Sequence, residues 1–276
     1  MPYARDQDVL TVRLGMMVGV DDCRSLDVPW ADFSELLLFD GDLARLDDAA
    51  VEDLLLSVTR PIEFVHCQEF VTVDGEEVMV DLSSERRAVR EASVEAVRMT
   101  RELAKKLVDA RVVMHPGGIR PETADHSLLM SNLSESLSEL GADRLLLENM
   151  PWYYWFRKKE RMVSNTCVTI EDMAEFEGMV EGFTLDLCHG YLSRAEGDPS
   201  YNSSFIERFG EKVMHIHASD AVAPDREGLQ IGDGDVDFSV LKRASVPVLV
   251  EIWNGHADGG AGFRVGIERL REMSRL

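Results

Sequence analysis

Histidines and acids are concentrated at the ends of the predicted strands. Five of the seven histidines lie within or directly after such a strand: His66, His115, His189, His215 and His217. Three acids each end an apolar run in the same way: Glu148, Asp186 and Glu251. An acid at the end of a buried strand is costly to desolvate unless a cation or hydrogen bonds compensate its charge. The residue types and their positions therefore predict a metal site.

The donor atoms indicate which metal such a site would bind. Imidazole and carboxylate ligands without thiolates suit Zn²⁺, Mn²⁺, Co²⁺ or Fe²⁺, whereas Mg²⁺ and Ca²⁺ prefer more oxygen ligands. Residues two apart along a strand share a face, so Leu146 and Glu148 point the same way, as do His215 and His217. We therefore expect a divalent transition metal, with zinc or manganese favoured.

The elements that must position these side chains alternate along the whole chain. Short apolar runs predict eight strands, at residues 12–20, 35–40, 62–70, 111–115, 144–149, 182–187, 213–218 and 246–253. Amphipathic stretches predict helices at residues 47–57, 84–108, 125–140, 170–177, 204–209, 238–243 and 263–274.

Strands that alternate with helices predict a parallel sheet. Eight such units in about 250 residues favour an α/β fold, a single (β/α)8 TIM barrel domain that spans residues 1–276. A doubly wound open sheet is the alternative, but no G-x-G-x-x-G turn follows the first strand. In a barrel, the carboxyl ends of all strands meet on one face, where the histidines and acids would become neighbours.

Charge and composition narrow the classes of partner. The 276 residues include 29 basic and 51 acidic side chains, with a formal net charge of -22. This charge repels polyanions, so DNA is disfavoured as a substrate without being excluded. The chain has neither a long apolar run nor a secretory signal pattern, so we expect a soluble cytoplasmic protein without a membrane partner. The four cysteines lack a C-x-x-C spacing, which argues against redox chemistry. A homo-oligomer is compatible with the sequence.

The ordered polar strings resemble a known family. They are His115-Pro-Gly-Gly118, Leu147-Glu148-Asn149, Leu185-Asp186-Leu-Cys-His189, His217-Ala-Ser-Asp220, Asp225-Arg226 followed by Gly232-Asp-Gly234, and Val250-Glu251. Their order is similar to that of the xylose isomerase-like TIM barrel superfamily, and within it most similar to endonuclease IV, the AP endonuclease family 2 type. The resemblance spans residues 66–251 and implies a barrel enzyme with a divalent metal centre.

The resemblance implies three groups of metal ligands. The first is His66, His115 and Glu148, the second is Glu148, Asp186, His217 and Glu251, and the third is His189, Asp225 and one further ligand. Endonuclease IV has a histidine two residues after the aspartate, where this chain has Glu227. It also has an aromatic–aliphatic pair that enters the DNA, where this chain has Cys67-Gln-Glu-Phe70. These departures weaken the expectation of a third ion and of DNA binding.

The second group alone resembles the single-metal site of the ketose epimerases and related sugar isomerases. That resemblance makes Glu148 and Glu251 proton-transfer groups, while His189 and Arg226 hold substrate oxygens. An aromatic run at residues 152–156 is expected on a loop over the site. We therefore expect first a metal-dependent isomerase or epimerase of a small carbohydrate or sugar phosphate. The alternatives are an endonuclease IV-like phosphoester hydrolase with two or three metals, and a non-catalytic sugar-binding barrel.

Overall fold

The computed structural model describes residues 12–22, 25–26, 28–107, 110–156, 159–243 and 245–274. Its strands, in chain order, are β1 (Leu14–Gly19), β2 (Phe33–Leu37), β3 (Ile62–His66), β4 (Phe70–Val73), β5 (Glu76–Met79), β6 (Arg111–Met114), β7 (Ile119–Arg120), β8 (Leu145–Glu148), β9 (Tyr153–Phe156), β10 (Glu160–Ser164), β11 (Gly182–Asp186), β12 (Val213–Ala218), β13 (Asp220–Val222), β14 (Arg226–Leu229) and β15 (Val248–Val250). Its α-helices are α1 (Asp42–Arg45), α2 (Asp48–Ser57), α3 (Arg87–Lys106), α4 (His126–Leu140), α5 (Ile170–Glu175), α6 (Leu187–Tyr191), α7 (Tyr201–Phe209) and α8 (Ala257–Ser274), and 3-10 helices cover Gly210–Lys212 and Phe238–Arg243.

Eight of these strands close into a parallel barrel. Around the barrel the order is β1, β2, β3, β6, β8, β11, β12 and β15, and β15 pairs again with β1. Each of the eight strands predicted from the sequence overlaps one of these barrel strands. Strands covered by helices on the outside and by the packed barrel interior on the inside are short apolar runs, which is why the hydrophobic pattern located them. The predicted TIM barrel is confirmed.

Side chains from alternate strand positions fill the barrel interior in layers. One layer is apolar and fully buried, and it consists of Phe33, Phe64, Val113, Leu146 and Leu249. Glu35, two residues beyond Phe33, is in register with Phe64 and lies deeper in the barrel. Two residues beyond Phe64, Val113, Leu146 and Leu249 come the polar residues His66, His115, Glu148 and Glu251. Because side chains two apart share a face, these polar groups lie directly above the apolar layer. The apolar layer is therefore the floor of the polar cluster.

Three short antiparallel sheets extend the loops that follow the barrel strands. β4 pairs with β5, β10 lies between β7 and β9, and β13 pairs with β14. The sequence pattern predicted a third strand that extends to residue 70, but that strand ends at His66 and the chain turns into the hairpin of β4 and β5. It also placed residues 152–156 on a loop, whereas most of this run forms β9. The hairpins form walls around the polar strand ends.

Helices surround the barrel and pack on it through their apolar faces. In α3 the buried residues recur at helical spacing, for example Val89, Val97 and Leu103, and the helix packs against β4 and β6. Among the described residues, no helix combines the length and the apolar character needed to cross a membrane.

Candidate metal centre

Six side chains from the ends of six barrel strands converge at one place. They are His66 on β3, His115 after β6, Glu148 on β8, Asp186 on β11, His217 on β12 and Glu251 after β15. A closed parallel barrel delivers the carboxyl ends of its strands to one face, and Glu148 and His217 are fully buried there. The structure thus brings together the six residues that the resemblance assigned to the first two metal ions.

Local hydrogen bonds fix the orientation of several of these side chains. The Nδ1 atom of His66 lies 2.9 Å from the carbonyl oxygen of Cys67, which leaves Nε2 facing the centre. Asp186 caps α6, because its Oδ1 accepts a hydrogen bond from the backbone N–H of His189 at 2.7 Å. The Asn149 amide accepts from the backbone N–H of Asp186 at 2.8 Å and donates to its carbonyl at 3.1 Å. Such outer contacts hold metal ligands in a productive orientation.

His66, His115 and Glu148 form the first group of candidate ligands. Their ligand atoms all lie within 4.8 Å of one another. The Nε2 atom of His66 is 3.6 Å from Oε2 of Glu148, and Nε2 of His115 is 3.5 Å from Oε1. Two ligands bound to the same tetrahedral zinc ion are separated by roughly 3.4 Å. These spacings fit atoms that share an ion better than atoms that share a hydrogen bond.

Glu148, Asp186, His217 and Glu251 form the second group, again with all ligand atoms within 4.8 Å. The Nδ1 atom of His217 lies 3.5 Å from Oε2 of Glu148 and 2.7 Å from Oε2 of Glu251. Glu148 therefore belongs to both groups. A carboxylate has two oxygens, so one side chain in this position can contact two ions at once.

Several buried polar atoms of the centre are unsatisfied. Among the described residues, Oε2 of Glu148, Nδ1 of His217 and Oε2 of Glu251 have no hydrogen-bond partner in good geometry. An unsatisfied buried polar atom costs about 1–3 kcal/mol, and more when it is charged. Divalent ions in contact with these atoms would remove that cost, so the residues present fit the metal that the sequence predicts.

The electrostatics of the centre point the same way. Burial alone would lower the pKa of His66, but the carboxylate of Glu148, 3.6 Å from Nε2, raises it to about 9. Burial would likewise lower the pKa of His189, but the charges of Asp186 and Glu148 raise this pKa to about 10. Burial, with the charges of Glu148 and Glu251, raises the pKa of Asp186 to about 6. The buried carboxylates thus keep protons on the neighbouring histidines and on Asp186. Metal cations can take the place of those protons.

The residues predicted for a third ion do not form a ligand group within the described part of the chain. His189 lies at the centre, with Nδ1 3.2 Å from Oε1 of Glu148. Asp225 instead forms an ion pair with Arg161 at 3.0 Å. Glu227 is buried and lines the cavity above the centre, and burial raises its pKa to about 7.

Arg226, predicted to hold substrate oxygens, lies on the hairpin of β13 and β14 with an exposed side chain. Successive residues of a strand point to opposite sides, so the hairpin that turns Glu227 inward turns Arg226 outward.

A small cavity opens above the candidate metal ligands. Its volume is about 100 Å³, and besides the ligands it is lined by Glu69, Tyr154, Glu227 and Trp253. Tyr154 belongs to the predicted aromatic run, and Trp253 follows two residues after Glu251. Two aromatic side chains at the mouth of such a cavity suit a small molecule with an apolar face.

A family model described as "Xylose isomerase-like TIM barrel" matches residues 34–273. The chain belongs to this family. The match includes all six strand-end residues of the two ligand groups. The family assignment expected from the polar strings is therefore confirmed.

Relatives of this xylose isomerase-like barrel include proteins with and without a named activity. The uncharacterized protein MJ1614 of Methanocaldococcus jannaschii is 28% identical over 208 residues, which cover 71% of this chain and 74% of the relative. Among solved structures, a D-tagatose 3-epimerase-like protein is 20% identical with a TM-score of 0.67, covering 96% of this chain and 98% of the other. Endonuclease IV from Thermus thermophilus is 19% identical with a TM-score of 0.64, covering 94% and 99%. At these identities the structural likeness concerns the fold.

One residue of this centre, Glu35, is not among the site residues predicted from the sequence. The carboxylate lies below the ligands, and Oε2 accepts hydrogen bonds from Nε2 of His215 at 2.7 Å and from Nε2 of His217 at 3.3 Å. The sequence placed Glu35 at the start of a strand, whereas β2 begins at Phe33. The sequence does contain a signal for Glu35. In the run from Phe33 to Leu37 the odd positions face the barrel interior, and Glu35 is an acid at one of these positions.

Gly228 is the position at which a small substitution should disturb the cavity of this xylose isomerase-like barrel. Its φ is +65°, and an added Cβ would lie 2.3 Å from Cδ1 of Trp253. We expect Gly228→Ala to cost about 1–2 kcal/mol for the left-handed backbone and a further amount because the indole must move. The measurement is the free energy of unfolding together with tryptophan fluorescence.

Gly232→Ala is the matched control for this prediction. Its φ is +86°, but the nearest atom to an added Cβ is 3.6 Å away, on Arg269. Only Gly228→Ala should change the tryptophan fluorescence. If both substitutions changed the fluorescence equally, Trp253 would not be packed against Gly228.

Proposed function

We propose that this chain is a divalent-metal-dependent phosphoester hydrolase that acts on a small sugar phosphate and uses two metal ions. The observation that carries the proposal is the position of Glu148, which belongs to both ligand groups. Two-metal hydrolases bind a pair of ions about 3.5–4 Å apart. A carboxylate that serves both groups is what such a pair requires.

Each residue of the centre has a defined part in this proposal. The first ion would be held by His66, His115 and Glu148, and the second by Glu148, Asp186, His217 and Glu251. A pair of bound ions activates water and stabilises the leaving oxygen of a phosphoester. The chain itself supplies rigidity, because the backbone contacts of His66 and Asp186 keep those ligands aligned without a substrate.

The charge of the centre supports a phosphorylated substrate when two ions are bound. Glu148, Asp186 and Glu251 carry three negative charges when ionised, which two divalent cations exceed and one does not. A phosphate oxygen in direct contact with two ions would therefore meet a net positive charge from the ions and these three carboxylates, whereas with one ion that charge is negative. Two bound ions therefore favour a phosphorylated substrate, and one bound ion favours an uncharged one.

The surroundings of the centre support a small substrate over duplex DNA. The cavity of about 100 Å³ is narrow and is lined by the acidic side chains Glu69 and Glu227. Arginines on the loops around the barrel mouth are paired with carboxylates: Arg120 with Asp81 at 2.7 Å, Arg161 with Asp225 at 3.0 Å, and Arg194 with Asp198 at 3.3 Å. An arginine already paired in this way contributes little to attraction of a polyanion.

A sugar isomerase or epimerase is the second candidate. The four-residue group of Glu148, Asp186, His217 and Glu251 favours it, because one ion at that group suits a neutral sugar. In this alternative Glu148 and Glu251 transfer protons. Glu251 is partly exposed to the cavity, but Glu148 is 1% exposed and lies within 3.6 Å of four imidazoles. Glu148 is thus better placed to bind ions than to reach a substrate proton.

Metal content and turnover, measured on the same preparation, test the proposal. We expect about two zinc or manganese ions per chain and release of inorganic phosphate from small sugar phosphates. One ion per chain with interconversion of ketoses would favour the isomerase. Nicking of an abasic duplex at low salt would favour an endonuclease, and ligand binding without turnover of any of these substrates would favour a non-catalytic barrel.

His66→Gln tests whether the first ligand group binds an ion of its own. We expect the metal content to fall from two ions to one, because the second group does not include His66. Loss of one ion of the pair should lower hydrolysis roughly a hundredfold. The measurements are elemental analysis and steady-state kinetics.

His126→Gln is the control, because His126 begins α4 and contacts Asn165 and Asp172 away from the centre. It should keep both ions. If His66→Gln also kept both ions, the first group would not be a metal site.

A further inference from the structure

Glu35 and His215 form a buried layer between the apolar floor and the candidate metal ligands. Both side chains are fully buried. Oε2 of Glu35 accepts from Nε2 of His215 at 2.7 Å and from Nε2 of His217 at 3.3 Å. His217 is the only residue of this trio that also belongs to a ligand group above it, as far as the described residues show.

The two nitrogens of His217 face different partners. Nε2 faces Glu35 below, while Nδ1 faces Glu148 and Glu251 above, at 3.5 and 2.7 Å. A neutral imidazole carries one proton, and the hydrogen bond made by one nitrogen determines which nitrogen is free to bind a metal. With an ion in the second group, Glu148 and Glu251 would be ligands of that ion and would not accept a proton from Nδ1. The carboxylate below Nε2 then favours the proton there and leaves the lone pair of Nδ1 for the ion.

Glu35 is itself held rigidly. The ring of His215 stacks on Phe64 with 3.8 Å between ring centroids and 11° between planes. The same ring packs edge-on against Phe33, with 6.0 Å between ring centroids. His215 therefore cannot turn away, and its Nε2 holds the Glu35 carboxylate at one place under His217.

Burying the charge of Glu35 costs free energy, and an apolar side chain could fill the same space without that cost. A carboxylate in the barrel interior loses its hydration, and replacing a buried ion pair by apolar side chains is often neutral or stabilising. Nearby side chains of the barrel interior, such as Phe33 and Leu146, are apolar. An acid at this depth is explained by a function for which its charge is needed.

We propose that Glu35, held by His215, is a positioning residue that keeps the proton of His217 on Nε2 and so presents Nδ1 to the metal of the second ligand group. This inference rests on the proposed metal dependence. It assigns a role to two residues outside both ligand groups, and it predicts that they affect the second ion and not the first.

Glu35→Met and Glu35→Gln test this role. Methionine has a similar length but accepts no hydrogen bond of useful strength, whereas the glutamine carbonyl still accepts one. We expect the affinity of the second ion to fall about 10–100-fold in the methionine variant and less in the glutamine variant. The affinity of the ion at His66 and His115 should not change. Calorimetric titration with zinc measures both affinities.

Asp172→Asn is the matched control, since Asp172 is a buried carboxylate in the capping box of α5. It should lower the melting temperature without changing either affinity. A folded Glu35→Met variant that binds the second ion as tightly as the unaltered protein would overturn the inference.

A measurement on the unaltered protein decides the matter even if Glu35→Met does not fold. In the zinc-loaded protein, ¹⁵N spectra of the histidine rings should show a proton on Nε2 of His217, identified by its loss in His217→Gln. A proton on Nδ1 would overturn the inference while leaving metal binding intact. Failure of the unaltered protein to bind zinc or manganese would overturn both this inference and the proposed function.

Discussion

Glu148→Gln should release both divalent ions and abolish most of the activity. Because Glu148 belongs to both ligand groups, one substitution removes a ligand from each ion. A bound ion supplies several kcal/mol of transition-state stabilisation, so we expect the rate of phosphoester hydrolysis to fall at least about a thousandfold. Elemental analysis should find less than half of the original metal, and kinetics with a sugar phosphate measures the loss of rate.

Glu181→Gln is the control for this substitution. Glu181 immediately precedes β11, at the opposite end of the strand from Asp186, and pairs there with Arg111 at 2.8 Å. The variant should keep both ions and most of the activity. If Glu148→Gln retained one ion at full affinity, Glu148 would serve one group only and the bridged pair would be ruled out.

Zinc or manganese should strongly raise the melting temperature of metal-free protein. Without ions the centre buries several carboxylates and unsatisfied atoms, so the folded state has much to gain from cations. At a metal concentration a thousand times the dissociation constant, binding stabilises the folded state by about 4 kcal/mol. For a chain of this size that corresponds to an increase of about 8 °C or more. Differential scanning calorimetry measures it.

Magnesium provides the comparison for the thermal experiment. His66, His115 and His217 supply nitrogen ligands, which Mg²⁺ accepts poorly. Magnesium at the same concentration should therefore change the melting temperature little, and Glu148→Gln should respond weakly to all three metals. Equal stabilisation by magnesium and zinc would mean that the histidines are not ligands.

The local pattern of the sequence located the barrel strands because each strand is a short apolar run bounded by polar residues. It also located the ligands at strand ends, since Glu148, Asp186 and Glu251 each close such a run. The rule that parallel strands deliver their carboxyl ends to one face then placed residues more than a hundred positions apart at one centre. The structure brings the same six residues together.

Other features depended on contacts that no local pattern contains. Glu35 and His215 are 180 positions apart, and their hydrogen bond exists only because closure of the barrel brings β2 and β12 across from each other. Asp225 matched the expected string, yet the hairpin of β13 and β14 directs it to Arg161 and turns Glu227 toward the cavity. A sequence motif shows which residue types lie in a loop, but the twisted conformation of the hairpin decides where each side chain points.

The sequence by itself determined the class of fold, the eight barrel strands and the chemical types of the candidate ligands, because strand pattern and residue chemistry are local properties. Only the tertiary structure decided that Glu148 lies within 3.6 Å of four imidazoles, that Glu35 lies under His217, and that Arg226 faces away. These are relations between side chains from different strands, and they follow from the register, closure and layered filling of the barrel.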